Sequence, residues 1–242
     1  MAKFVIAHMY PDLMNLYGDR GNLICLQKRL EWLGQECEIR KCFLGEQVDF
    51  GKTDMFFMGG GSDREQELVF QDLRKRAEQL WQALQDGLPG LCICGAYQLL
   101  GEFYKAADGN TMPGLAFFQL HTVAEPGRLI GNILIEAEIN GTPSSIVGFE
   151  NHGGRTYFDA PDLKPLGKVL RGFGNNGKDK TEGLLYKNLV GSYLHGPLLP
   201  KNPVLADFFI RAMAERKGIS IDVRLDDDIE SIAHQQVEKM LA

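Results

Sequence analysis

A chain of 242 residues, 44% of them hydrophobic and 24% charged, is long enough for one α/β domain with a full core and is close to the average for a soluble globular protein. No apolar run approaches the roughly 18 residues that a membrane span requires, and a net charge of −6 with scattered basic residues argues against the positive face that duplex nucleic acid demands. The five cysteines, Cys25, Cys37, Cys42, Cys92 and Cys94, are odd in number and lie mostly in apolar segments, which points to reduced thiols in a cytoplasmic compartment and not to a disulfide scaffold.

The first hundred residues alternate between strands and helices. KFVIAHM (3–9) reads as a first strand and not as a leader peptide, because polar and acidic residues follow at once without a small-residue cleavage site. GNLICLQKRLEWLG spaces Leu23, Leu26, Leu30 and Leu33 as a helix does and stops at Gly34. CEIRKC (37–42) is a second strand, and DMFFMGGG (54–61) is a buried strand running into glycines. One amphipathic helix is expected over REQELVFQDLRKRAEQLWQALQDG, with Val69, Leu73, Ala77, Leu80 and Leu84 on one face and Gly87 at its end. LCIC is another buried strand and AYQLLGEFY another helix. Such an order implies an α/β fold with a mostly parallel sheet and chemistry at the carboxyl ends of its strands.

From about residue 113 the texture turns to β-like pieces (LAFFQLHTVA, RLIGNILIEAEI, SSIVGFEN, KVLRGFG, TEGLLYKN, LVGSYLHG), which suit an antiparallel extension. NPVLADFFIRAMAERKG (202–218) reads as a closing helix, and DDDIESIAHQQVEKMLA as an acid-capped tail helix. The expected organisation is one domain over 1–205 and a C-terminal helical segment, 206–242, packed on or beside it.

Within LPGLCICGAYQLLG, Cys94 stands where a strand end opens a helix, a position at which backbone N–H groups stabilise a thiolate. Cys92, Gly95 and Ala96 are the small neighbours that a sharp strand-to-helix elbow tolerates. Taken alone, a cysteine is more often a buried thiol, and Cys92 fits that description; a metal clip is disfavoured because C-x-C has no second pair at zinc spacing. In FFMGGGSDREQ three glycines can turn backbone N–H groups toward an anion, and Ser62-x-x-Glu65 equally fits a capping box. Neither a Walker-type loop nor G-x-G-x-x-G opening onto a helix is present. For a base there are His8, His121, His152, His195 and His234. His234 lies in the polar tail, His195 ends an apolar strand at a turn, and His152 is its rival.

C-G-A-Y-Q (94–98), G-G-G-S-D-R-E-Q (59–66), F-E-N-H-G-G (149–154) and S-Y-L-H-G (192–196) together resemble the class I glutamine amidotransferases of the cobyric-acid-synthase type, over about residues 5–200. Within that group N-L-Y-G-D-R-G-N (15–22), the compact length and G-N-N-G-K-D-K (174–180) most resemble the glutaminase subunits of lipid II isoglutaminyl synthases. The resemblance implies a three-layer, flavodoxin-like amidotransferase fold with an antiparallel β extension. It further implies that Cys94 attacks the side-chain amide of L-glutamine and that His195 shuttles the proton to the leaving ammonia. Gly60 and Gly95 would offer N–H groups to the oxyanion, and Arg128 and Gln98 would hold the substrate. The planar fork of Arg128 suits the α-carboxylate of glutamine, although an arginine on a strand surface would read the same way.

Two positions depart from the wider family. Its members commonly follow the histidine with proline and then glutamate, whereas Gly196, Pro197 and Leu198 follow His195; the cobyric-acid type shares this lack. A carboxylate or carbonyl from elsewhere, in this chain or a partner, is expected to fix the imidazole. Ala96 replaces a frequent glycine, which a helical backbone tolerates. No metal or cofactor is expected in this chain. The resemblance implies a heterodimer with a Mur-ligase-like subunit that uses ATP and magnesium, activates the α-carboxyl of D-glutamate in the lipid II stem peptide and receives the ammonia. The alternatives are service to another synthase with a cobyrinate-like acceptor, a cysteine hydrolase or isomerase on the same elbow, and a catalytically silent binding subunit.

Overall fold

The computed structural model describes residues 2–241. Its first sheet is fed by β1 (Lys3–Met9), α1 (Gly21–Trp32), β2 (Glu36–Cys42), β3 (Met55–Met58), α2 (Asp63–Leu73), α3 (Ala77–Gln85), β4 (Gly90–Ile93) and α4 (Gly95–Leu99). The strands alternate their side chains between two cores. Met55, Phe57, Leu91 and Ile93 pack on one side with Leu23, Leu26 and Leu30 of α1, and Phe56, Met58 and Cys92 pack on the other with Val69, Leu73, Leu80 and Leu84. A strand buried on both faces shows the continuous apolar run that MFFM and LCI display.

The helix expected as one over 64–87 is two. A 3-10 turn at Arg74–Arg76 separates α2 from α3, and Arg76 leaves helical geometry at φ −122°, ψ 14°. Its buried guanidinium donates to the Asp72 carboxylate (2.9 Å) and to the Glu46 carbonyl, so a tertiary partner holds the break that apolar spacing could not reveal. Similarly, the expected helix AYQLLGEFY is only the five-residue α4. Gly101 lies where a side chain would strike Leu120, and the chain then becomes β5 (Phe103–Lys105), which pairs with β6 (Thr111–Pro113).

The β-rich half is dominated by two long strands, β7 (Leu120–Ile139) and β8 (Thr142–Phe158), which form an antiparallel ribbon with a register shift between Ala124 and Leu129. Pieces that read as separate strands in sequence are therefore halves of continuous ones, joined across a bulge at Glu125–Arg128. β9 (Gly167–Arg171) and β10 (Thr181–Glu182) extend this second sheet. β11 (Leu184–Tyr186) and β12 (Leu189–Ser192) return to the first, whose order is β11-β12-β4-β3-β1-β2, parallel except for β11. At Tyr193 the chain changes sheet again: Ser192 pairs with Ile93 of β4, whereas β13 (Leu194–His195) pairs with β8.

α5 (Pro203–Arg216) buries Leu205, Phe209, Ile210 and Met213 in the core it shares with α1, so residue 205 falls within a helix. α6 (Asp228–Leu241) lies outside that core, and its His234 meets Ser145 Oγ (2.9 Å) and the Lys201 carbonyl (2.8 Å). Just before it, Asp227 joins Asp207 on the buried Arg29, with Nη–Oδ distances of 2.5 and 2.7 Å. No helix among the described residues is long and apolar enough to cross a membrane.

The sheet change at Tyr193 is braced by Glu182, fully buried, whose Oε1 accepts from Ser192 Oγ and from the Tyr193 N–H, both at 2.8 Å. Oε2 has no partner. Burial outweighs these two donors and pushes the Glu182 carboxyl up to about 8 from 4.5. The unfolded chain thus ionises first, and between those pH values the folded state binds the extra proton, so this group makes stability fall as pH rises through the window. Glu182→Gln keeps the acceptor without the titration. Its stability relative to the parent is expected to rise by the order of a few kcal/mol between pH 4.5 and 8 and to level off above, as read from denaturant midpoints across pH.

Candidate active site

The ends of β3 and β4 and the turn that follows β12 meet at one spot. β4 delivers Cys94, whose backbone sits at φ 52°, ψ −107°, a conformation that side-chain-bearing residues rarely adopt. The Cys94 N–H donates to the Ser192 carbonyl at 2.8 Å, and the Cys94 carbonyl accepts from the Gln98 N–H at 3.0 Å, so the elbow is pinned on both sides. Its neighbours are small for steric reasons: a Cβ at Gly95 would lie 2.8 Å from Gln66 Cδ, and Ala96 is fully buried inside α4. Cys92 points into the apolar core, where burial pushes its thiol well up.

His195, on β13, is 1% exposed. A Cβ built on Gly60 would be 3.3 Å from His195 Cε1 and 3.4 Å from Cys94 Cβ, which puts glycine loop, nucleophile and imidazole around one point. Burial draws the His195 pKa down, but the Asp19 carboxylate bonded to Nδ1 and the neighbouring Cys94 sulfur overcome it and raise it from 6.5 to about 10. Its Nε2 has no hydrogen-bond partner among the described residues.

His152 has a different environment. Its ring stacks on Tyr193 with centroids 3.7 Å apart, and its Nδ1 meets the Gly154 carbonyl at 2.7 Å. Burial lowers its pKa, with Glu150 and Gly154 opposing. His8 is buried and depressed to about 4, first by burial and then by Lys41 and Arg20, and His121 pairs with Asp159 at 2.6 Å.

Cys94 opens onto a cavity of about 720 Å³ that Gln66, Gln98, Arg128, Asn151 and His152 also line. Arg128, within the bulge of β7, donates from Nε to Asn151 Oδ1 and from Nη2 to the Asn151 carbonyl, both at 2.8 Å. Gln98 Nε2 donates to the Tyr193 hydroxyl at 3.0 Å, and that hydroxyl lies 2.6 Å from Thr156 Oγ1. Arg128 and Gln98, expected beside the substrate, thus share the cavity with Cys94, while His195 and Gly60 lie behind it. The Gly95 N–H begins α4 and has no intrahelical acceptor. The Gly60 N–H, expected to face an oxyanion, instead donates to Asp19 Oδ2 at 2.9 Å.

Asp19 is the residue that sequence reasoning left without a role. Its other oxygen is 3.2 Å from His195 Nδ1. The segment NLYGDRGN stands out as a motif in the sequence, and the contacts explain its residues. Asn15 Oδ1 accepts from the Arg20 N–H, Gly21 leaves no room for a Cβ against Pro197, and Asn22 Oδ1 accepts from the Leu199 N–H. Tyr17, at φ 54°, sets its ring edge-on to His195 with centroids 4.7 Å apart, and its hydroxyl accepts from Asn151 Nδ2 at 3.0 Å.

Residues 5–203 match the model of the CobB/CobQ-like glutamine amidotransferase domain. The lipid II isoglutaminyl synthase (glutamine-hydrolyzing) subunit GatD of Staphylococcus aureus is 44% identical, over 98% of this chain and 95% of that protein. The same subunit of Streptococcus pneumoniae is 39% identical, over 93% and 86%. A probable cobyric acid synthase of Methanocaldococcus jannaschii is 29% identical over 69% of this chain and 34% of its own length. Among solved structures, a glutamine amidotransferase superposes with a TM-score of 0.57 at 14% identity, over 86% of this chain and 98% of that one. The glutaminase domain of Trypanosoma brucei CTP synthase gives 0.55 at 12%, over 91% and 96%. These two likenesses bear on the fold alone, which is the α/β amidotransferase fold that the sequence motifs imply. Matched along most of its length by the family model and by both isoglutaminyl synthase subunits, the chain belongs to the CobB/CobQ-like glutamine amidotransferases.

Proposed function

We propose that this chain is the glutaminase subunit of a lipid II isoglutaminyl synthase: it hydrolyses L-glutamine and passes the ammonia to an ATP-using, Mur-ligase-like partner. The observation that carries the reading is the elbow cysteine with a buried histidine beside it, opening on a cavity with an arginine in its wall. Near-full-length similarity to two GatD subunits supports the acceptor. In the reaction the Cys94 sulfur, whose proton His195 has taken, bonds to the side-chain amide carbon of glutamine, and the C–N bond breaks as His195 gives that proton to the departing nitrogen. Water then adds to the thioester as His195 takes its proton, and the C–S bond breaks to release glutamate and return the sulfur and its proton to their starting state. The Gly95 N–H faces the developing oxyanion. Arg128 takes the α-carboxylate, and Gln98, held by Tyr193, lines the side-chain slot.

Activation of the acceptor carboxylate, with its ATP and magnesium, belongs to the partner, which amidates the D-glutamate α-carboxyl of the lipid II stem peptide to D-isoglutamine. The heterodimer works in the cytoplasm, where five free thiols are stable. The amidotransferase domain runs on through α5, which fills the core shared with α1, and α6 is the C-terminal helix beside it.

Glutamate release from glutamine, measured with the ligase subunit present, tests the assignment. Cys94→Ala and His195→Ala are each expected to lose at least about 10²-fold in kcat. His152→Ala should stay within about tenfold of the parent at temperatures where it is folded, and wild-type activity in His195→Ala would overturn the choice of base. Arg128→Lys, which keeps the charge but not the planar fork, is expected to raise KM for glutamine by on the order of tenfold with a much smaller change in kcat. An unchanged KM would remove Arg128 from the substrate site.

A further inference from the structure

Asp19 is fully buried on the loop between β1 and α1, 176 residues from His195 and 41 from Gly60 in sequence. Two N–H donors converge on its side chain: Nδ1 of His195 reaches Oδ1, and the Gly60 amide reaches Oδ2. The same loop grips Gly60 a second time, since the Leu16 N–H donates to the Gly60 carbonyl at 3.1 Å. Asp19 is fixed in turn, because its N–H donates to the Leu16 carbonyl and its carbonyl accepts from Asn22 Nδ2.

We propose that Asp19 is the positioning residue of this site, one oxygen fixing the His195 imidazole through Nδ1 and the other fixing the Gly60 amide, so that base and glycine loop keep a set spacing around Cys94. The inference rests on the glutaminase reading of Cys94 and His195. Its chemical core is the count of acceptors. A carboxylate offers two oxygens to two donors, whereas an amide of the same shape offers one oxygen and turns an NH₂ toward the second donor. With Nδ1 committed to Asp19, Nε2 is the nitrogen left for the nucleophile and the leaving group, and it is the ring nitrogen without a partner. The acid absent after His195 in sequence is thus supplied in space by this chain itself, from the loop that opens α1.

Asp19→Asn is expected to lower kcat for glutamine hydrolysis by about 10²- to 10⁴-fold while KM stays within about threefold, assayed on the full chain with the ligase subunit present. Because the two side chains act as one unit, Asp19→Asn combined with His195→Ala should be no slower than His195→Ala alone. A burial role without positioning would instead move stability and leave kcat per folded molecule unchanged. Should Asp19→Asn not fold, the parent still decides: ¹H–¹⁵N spectra of histidine-labelled protein should show a downfield, exchange-protected Nδ1 proton, assigned by its absence from His195→Gln. Wild-type kcat in folded Asp19→Asn, or no protected Nδ1 proton on His195, overturns the proposal. Retained hydrolysis in both Cys94→Ala and His195→Ala would instead bring down the glutaminase reading itself.

Discussion

At Cys94 the main chain leaves β4 in a conformation that costs a side-chain-bearing residue about 1–3 kcal/mol, and the architecture around it serves to hold that turn. β4 lies between β3 and β12 in the middle of the sheet, so its ladder bonds are made on both sides. The Cys94 amide is taken by Ser192, and α4 begins at once with residues too small to obstruct the turn. Relaxing the torsion would break a central ladder, which is why the strain persists. In return the sulfur is lifted out of the apolar core that keeps Cys92, two residues earlier, buried.

Much of this was legible in the chain. The buried strands and α1 follow from apolar spacing, and the elbow follows from the steric demand that makes Cys92, Gly95 and Ala96 small. The glycines before Ser62 mark where a strand ends and where donors can turn. His195 stood out because a histidine closing an apolar strand at a turn is unusual. What stayed hidden depends on tertiary partners. Asp19 sits in a loop with no period, and its two contacts lie 41 and 176 residues away. The break at Arg74–Arg76 answers to a carbonyl at Glu46. The two long strands read as fragments because the bulge before Leu129 interrupts their alternation, and the same bulge carries Arg128.

Behind the cavity runs a polar network that an apolar-core view would not anticipate. The Tyr193 hydroxyl joins Gln98 to Thr156, Thr156 meets Thr122 at 2.8 Å, and Asn175 meets the Tyr97 hydroxyl at 3.3 Å. Buried groups of this kind must be satisfied together, since stranding one costs about 1–3 kcal/mol. The network fixes the Gln98 amide, and it also joins helix α4 of the first sheet to strand β8 of the second.

The switch of sheet at Tyr193 has a further meaning. Cys94 is carried by the parallel sheet, whereas His195 is carried by a two-residue strand that belongs to the antiparallel ribbon. The reach from imidazole to sulfur is therefore set across the seam between two separately laddered layers, with Tyr193 as the covalent link and Asp19 as a second tie. The packing of the two layers thereby sets the spacing of the reacting groups, so the ribbon is part of the catalytic scaffold as well as a wall of the pocket.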